Sequence, residues 1–320
     1  MEINYILAFG CSLIVTLLVM PKLIPFLHKI KFGQVEREEG LASHKAKGGT
    51  PTMGGMVFVL VPIIVTLILN PKAFTSMNML IVVFAYLGYA LIGFIDDFLI
   101  VVKKNNDGLK PGMKFFMQSV LAVIFYFLYV QVAETTIQIP VVHMTLQLGF
   151  LYFVLIFFMF TCESNAVNLT DGLDGLSAGT SLVAIAPFIV FALLQKNTDL
   201  AIFLLAVCGS LIGYLKFNLH PAKIFMGDTG SLALGGLLAA TAMILKEELL
   251  LIIIGGVFVM ELLSVVIQVT SYKLTKKRVF KMAPIHHHFE MCGMKETQVV
   301  LMFWSIGFLC AAVGLWLGVI

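Results

Sequence analysis

Long apolar runs, separated by short polar stretches, recur from one end of this chain to the other. A helix needs about 20 apolar residues to cross a bilayer. The pattern predicts ten spans, at 3–26, 53–70, 77–95, 114–133, 147–162, 173–194, 200–216, 229–246, 249–272 and 297–319. The fifth is short and has room to run on into the polar stretch after it. The connector from Glu134 to Gln147 alternates Thr-Ile-Gln-Ile and predicts a small hairpin. The fold class expected is therefore all-α: a polytopic integral membrane protein with one transmembrane domain over residues 1–320. No internal repeat is visible, as an inverted-repeat transporter would show. The first run is too long for a signal-peptide core and has no cleavage-site pattern, so it counts as a span.

Charge sets the orientation. The loops fall alternately on two sides. One side holds 27–52, 96–113, 163–172, 217–228 and 273–296. The other holds both termini, 71–76, 134–146, 195–199 and the turn near 247. Only Lys72, Lys196 and Lys246 belong to that second side; Lys22 lies in the first span near its inner end, and every other Lys and Arg lies in or beside the first-side loops. Lysine and arginine accumulate on the cytoplasmic side of membrane proteins, so the first side is expected inside and both termini outside. Composition agrees: 60% of the 320 residues are hydrophobic and 12% charged, where soluble domains carry about a quarter charged. Cys11, Cys162, Cys208, Cys292 and Cys310 have no paired spacing, so neither disulfides nor zinc is indicated.

The polar residues with chemical potential collect on the inner side. Asn165-Ala166-Val167-Asn168-Leu169-Thr170-Asp171-Gly172-Leu173-Asp174-Gly175-Leu176 sits between two apolar runs. Polar groups are expensive there, so a functional site is the default reading, against a connector whose Asn and Asp cap helix ends. If the stretch is helical, Asn165, Asn168, Asp171 and Asp174 recur every three residues along a slowly drifting face. Asp96-Asp97 closes the third span. Adjacent carboxylates at a helix C-terminus repel each other and the helix dipole, which calls for a divalent ion or a proton-transfer role. In the first inner loop, Lys45 and Lys47 beside Gly48-Gly49, with Thr50-Pro51-Thr52, suit a phosphate or an anionic lipid headgroup. Lys114 opens the fourth span, facing phosphate or snorkelling. Asp228 lies where the eighth helix begins; Thr229 or Ser231 is placed to cap it, and its free amides suit an anion. Phe225 suits base stacking or interface packing. Glu261, Ser264 and Gln268 share one face of the ninth span, with Glu261 the deepest carboxylate. His286, His287 and His288 are consecutive, so one helix face cannot turn all three to one metal; they offer donors to a phosphate or sugar.

Taken together, Asp96-Asp97 after an apolar helix, Asn-X-X-Asn-X-X-Asp-Gly-Leu-Asp-Gly-Leu, Phe-X-Gly-Asp-X-Gly-Ser and Pro-Ile-His-His-His-Phe-Glu resemble the polyprenyl-phosphate N-acetylhexosamine-1-phosphate transferases over essentially the whole chain. The last motif and the His44-Lys45-Ala46-Lys47-Gly48-Gly49 loop resemble the branch that uses UDP-N-acetylmuramoyl-pentapeptide (UDP-MurNAc-pentapeptide). The resemblance implies a magnesium-dependent enzyme of the bacterial cytoplasmic membrane with its site on the cytoplasmic face. It would transfer the phospho-sugar-peptide to undecaprenyl phosphate, giving lipid I and UMP. It further implies Asp228 as the main Mg²⁺ ligand, with Asp96, Asp97 and Asp171 as further candidates, and Asp96, Asp97 and Asp228 as the catalytic acids. Lys47, Thr52, Lys114, Asn165, Asn168, Asp171, Asp174 and Phe225 would contact nucleotide, phosphate or sugar. His286, His287 and His288 would meet the muramoyl-peptide side, and Gln268 with Glu261 would line a groove for the prenyl chain. A homodimer is compatible with the chain, and no nucleic-acid partner is expected. The nearest alternative is a sister enzyme using UDP-N-acetylglucosamine, against which the Pro-Ile-His-His-His-Phe-Glu loop argues. An ion-coupled transporter would need acids at mid-depth in several helices, and an intramembrane aspartyl protease would need two Asp inside facing helices.

Overall fold

A computed structural model describes residues 2–29, 49–103, 108–142 and 144–320. The helices are α1 (Glu2–Lys29), α2 (Gly55–Leu69), α3 (Met77–Lys103), α4 (Pro111–Tyr129), α5 (Leu151–Thr170), α6 (Leu176–Leu194), α7 (Thr198–Asn218), α8 (Gly227–Ile244), α9 (Glu248–Ile254), α10 (Gly256–Thr275), α11 (Ile285–Met291) and α12 (Glu296–Val319). Eight of them are long and apolar enough to cross a membrane; α2 is apolar but only 15 residues long. Each predicted span is helical, and the ninth divides at Gly255 into α9 and α10. The protein is an all-α polytopic membrane protein, with one small hairpin among the described residues.

Two boundaries bear on the site: the first is the run-on that the short fifth span left open, and the second departs from the sequence reading. α5 continues to Thr170 and takes in the first half of the polar stretch. α3 runs on to Lys103, so Asp96 and Asp97 lie inside a helix rather than at its end. Phe98 to Val102 is apolar and extends the helix past the acid pair, and the Asp97 carboxylate is met by the N-terminus of another helix.

That other helix is α8. Every residue from Thr229 to Met243 is buried. Its side chains are mostly small, which lets neighbouring backbones approach closely. A Cβ on Gly93 of α3 would overlap the carbonyl oxygen of Asp228, and one on Gly55 of α2 would overlap the backbone of Gly230. A Cβ on Gly235 would overlap the Cα of Ser164 in α5. α8 is thus the axle of the bundle, touched on three sides at backbone distance.

At the end of α8 away from Asp228 lies the hairpin, β1 (Thr136–Ile139) paired antiparallel with β2 (Met144–Gln147). Lys246 anchors it. The ammonium donates to the Thr136 carbonyl at 3.1 Å and to that of Glu134, and it sits 5.0 Å above the rings of both Tyr129 and Tyr152. The Tyr129 and Tyr152 hydroxyls are 2.7 Å apart, and Tyr152 donates to Glu248. In the turn beside them, burial first and the charge of Glu248 second push the Glu247 carboxyl up to about 7. The folded state therefore binds the proton more readily than the unfolded chain. Glu247 destabilises the fold progressively as pH rises from near 4.5, the ordinary value, to about 7, and fully above that. Glu247→Gln should stabilise the detergent-solubilised protein by about 1 kcal/mol at pH 8, discounting for partial exposure, and by almost nothing at pH 4.5. Melting curves at the two pH values test this; an equal gain at both would show that Gln acts by packing.

Candidate active site

The chemistry converges where α8 begins. Its N-cap, Met226, supplies no side-chain hydrogen bond. The cap comes from α3: the Asp97 carboxylate accepts from the Asp228 amide at 3.0 Å, the Thr229 amide at 2.9 Å and the Thr229 hydroxyl at 2.6 Å. Both Asp97 oxygens are engaged and the side chain is buried. Thr229 and Ser231, the capping candidates from sequence, do not cap. Thr229 donates its hydroxyl to Asp97, and Ser231 donates to the Gly227 carbonyl at 3.1 Å.

With its amide held, Asp228 projects into a polar cluster. Lys114, in the first turns of α4, forms an ion pair with its Oδ2, and the Asn168 amide of α5 donates to its Oδ1 at 2.7 Å. The same amide donates to Ser231 at 2.8 Å. The Asp96 carboxyl lies beside that of Asp228, and two carboxyls so placed share a proton or a cation. The Leu109 amide donates to Asp96 at 2.7 Å, so the segment ahead of α4 folds over this acid. Thr52 is buried in the same cluster. A Cβ on Gly227, where φ is +70°, would lie 2.7 Å from the Thr52 hydroxyl and would overlap Asp97. Backbone pairing fixes the 51–55 segment here: Phe225 donates to the Pro51 carbonyl, and the Gly54 and Gly55 amides donate to the Phe225 and Met226 carbonyls, at 2.8, 2.9 and 3.0 Å. Phe225 is half-buried at this edge.

The rest of the polar stretch divides. Asn165 faces α4, donating to Gln118 at 3.1 Å and back to the Thr161 carbonyl. Asp171 is the C-cap of α5, and a turn with Gly175 at φ +79° leads into α6. The three-residue face therefore breaks after Asn168. Asp174 is buried and belongs to a second cluster. Its Oδ2 accepts from the Ala222 amide at 3.0 Å and lies 3.0 Å from His220 Nδ1, while its own amide donates to Glu296 at 2.7 Å. Asn218 accepts from the Gly175 amide at 3.1 Å and donates to the Ile224 carbonyl at 2.9 Å. Asn218, His220 and Glu296 were not singled out from sequence. The polar run from Asn218 to His220 is the only local signal for the first two, and nothing local marks Glu296.

The histidines point three ways from α11. His286 is wholly buried against Glu261, so neither side chain lines an open groove or an open surface. His287 pairs with Glu290 at 2.8 Å. His288 accepts from the Lys281 amide at 3.1 Å. Gln268 accepts from the Val279 and Phe280 amides at 3.0 and 2.9 Å and donates to the Phe280 carbonyl at 3.0 Å, stapling the loop after α10. Lys47 lies outside the described residues.

Among the described residues, two groups have ligand chemistry for a metal. Asp174, His220 and Glu296 bring one ligand-type atom each within 4.8 Å of one another. That set contains an imidazole, and its Asp174 and Glu296 oxygens already accept backbone N–H groups. Asp96 with Asp228 is an all-oxygen pair, the donor type that magnesium takes.

The profile of glycosyl transferase family 4 matches residues 79–246, which include nearly all of α3, the whole of α8 and the polar stretch. Over 325 aligned residues, covering all of this chain and 99% of each relative, the chain is 50% identical to proteins named phospho-N-acetylmuramoyl-pentapeptide-transferase from Bacillus anthracis (strain A0248), Bacillus mycoides (strain KBAB4) and Bacillus cereus (strain AH187).

Proposed function

The chain belongs to the phospho-N-acetylmuramoyl-pentapeptide transferases of glycosyl transferase family 4, and we propose that the cluster around Asp228 transfers the phospho-sugar-peptide of UDP-MurNAc-pentapeptide to undecaprenyl phosphate, giving lipid I and UMP. The convergence of Asp96, Lys114 and Asn168 on one carboxylate, itself held by Asp97, is the observation that carries this reading. Phosphoryl transfer asks the protein mainly for alignment and charge neutralisation.

Asp228 and Asp96 would hold Mg²⁺, with Asp171 as a further candidate. The ion would supply positive charge to the pyrophosphate when bound. Asp97 acts differently: its oxygens are engaged by α8, so it is a positioning residue for Asp228. Lys114 offers a cation that can pass from Asp228 to a phosphate oxygen. An oxygen of the lipid phosphate forms the new bond to the β-phosphorus, and the bond from that phosphorus to the bridging oxygen breaks. The electron pair leaves with UMP. A phosphate monoester titrates near pH 6, so the attacking oxygen needs no strong base. Asn168, Asp171 and Phe225 would contact the nucleotide, with Thr52 toward phosphate; Asn165 and Asp174, whose bonds are made to α4 and to the second cluster, would support that site from behind, and Lys47 is a phosphate candidate from the sequence alone. His287 and His288 are half-buried and remain candidates for the peptide side. The sorting of lysine and arginine supports a site on the cytoplasmic face of the bacterial cell membrane, with both termini outside.

The test is UMP release from UDP-MurNAc-pentapeptide by the detergent-purified chain, with and without undecaprenyl phosphate, and with Mg²⁺ or EDTA. Release that requires both lipid phosphate and Mg²⁺ is expected. Release without acceptor would replace direct attack by a covalent phospho-enzyme or hydrolysis. Turnover with UDP-N-acetylglucosamine alone would reassign the donor.

A further inference from the structure

His286 lies buried between Glu261 of α10 and Gly172 of the polar stretch. Its Nδ1 lies 3.1 Å from both oxygens of Glu261, and both side chains are completely buried. Its Nε2 has no hydrogen-bond partner. Directly over that edge of the ring lies Gly172: a Cβ there would overlap Nε2 and lie 2.8 Å from Cε1. Leu173, Leu176, Val299 and Phe303 belong to an apolar cluster, with Ile285 and Phe289, on either side of the histidines, packed on it.

Gly172 is the residue between Asp171 and the Leu173-Asp174 turn. The far end of that loop is fixed by the bonds of Asp174 to Ala222 and His220 and of Gly175 to Asn218. The near end has the imidazole beneath it. We infer that Glu261 and His286 form a buried strut: Glu261 orients the ring, and the ring sets the height of the loop that carries Asp171 and Asp174 toward the donor. His286 is then a positioning residue for donor affinity rather than a substrate contact. This rests on the transferase reading above.

The experiment is a mutant cycle in the full-length, detergent-purified chain: wild type, Gly172→Ala, His286→Asn and the double variant. Asparagine keeps an N–H near the position of Nδ1 for Glu261 and removes the edge of the ring under Gly172. Gly172→Ala should lower the melting temperature and weaken UDP-MurNAc-pentapeptide binding about tenfold, with kcat within about twofold. The double variant should recover both, because the added methyl fills the space the ring has left. Additive losses in the double variant would overturn the strut. So would a His286→Asn variant with lowered kcat and unchanged donor affinity, the mark of a direct contact in the transition state. If Gly172→Ala does not fold, Glu261→Gln decides by the same two readouts, with unchanged donor affinity counting against the proposal. A wild-type chain that neither binds nor turns over this donor would refute the transferase reading, while recovery of melting temperature in the double variant would still report the strut.

Discussion

Replacing Asp228 by asparagine should lower UMP release by about 10³-fold or more while the protein stays folded. Asparagine is the same size and can still accept from Asn168 through its carbonyl oxygen. Its amide would then face the Lys114 ammonium, which now pairs with Oδ2. One face of the cluster loses an attractive pair and gains two opposed donors, and the charge that would hold Mg²⁺ is gone. The backbone is unaffected, because the Asp228 amide still donates to Asp97. The melting temperature should therefore shift by only a few degrees, in keeping with about 1 kcal/mol for a lost partly exposed ion pair. Activity within tenfold of wild type would remove Asp228 from the centre of the chemistry.

Asp97→Ala should fail in a different manner. It removes the acceptor for two amides and a hydroxyl at the start of a buried helix. Unsatisfied buried donors of this kind cost about 1–3 kcal/mol each, so a loss of about 2–4 kcal/mol is expected after local relaxation. Asp228 would lose its register, and turnover should fall about 10²-fold, following from misplacement rather than from a missing ligand. The two variants separate on thermal unfolding and on Mg²⁺ titration. Asp97→Ala should melt clearly lower, with the Mg²⁺ concentration for half-maximal activity raised only modestly and by less than in Asp228→Asn, because the ligand is displaced rather than removed. An unchanged melting point with a large rise in the Mg²⁺ requirement would make Asp97 a metal ligand after all.

These expectations draw on features of unequal visibility in the sequence. The helices were legible because lipid demands long apolar runs, and the hairpin because its alternation is local. The acids and amides stood out for the same reason, as polar groups in an expensive setting. Their partners did not. Asp97 and Thr229 are 132 positions apart, and nothing near either says that one caps the other. The one sequence hint was negative: Met226 is a poor N-cap. Asp96-Asp97 ended the predicted third span because two charges normally stop a membrane helix, yet α3 continues through them. Gln268 and His286 were recognisable as polar, but their hydrogen bonds are made inside the protein. A sequence names the donors and acceptors, and only the packing says whether they face a ligand or each other.

The backbone-distance contacts of α8 with α2, α3 and α5 have a consequence for how the two substrates meet. A helix wedged on three sides by glycine contacts has no free path to slide or rotate. Asp228 is therefore a stationary landmark in the bilayer. The travelling is left to the substrates: a soluble nucleotide arriving from one phase and a lipid phosphate diffusing laterally from another, each seeking the same fixed point.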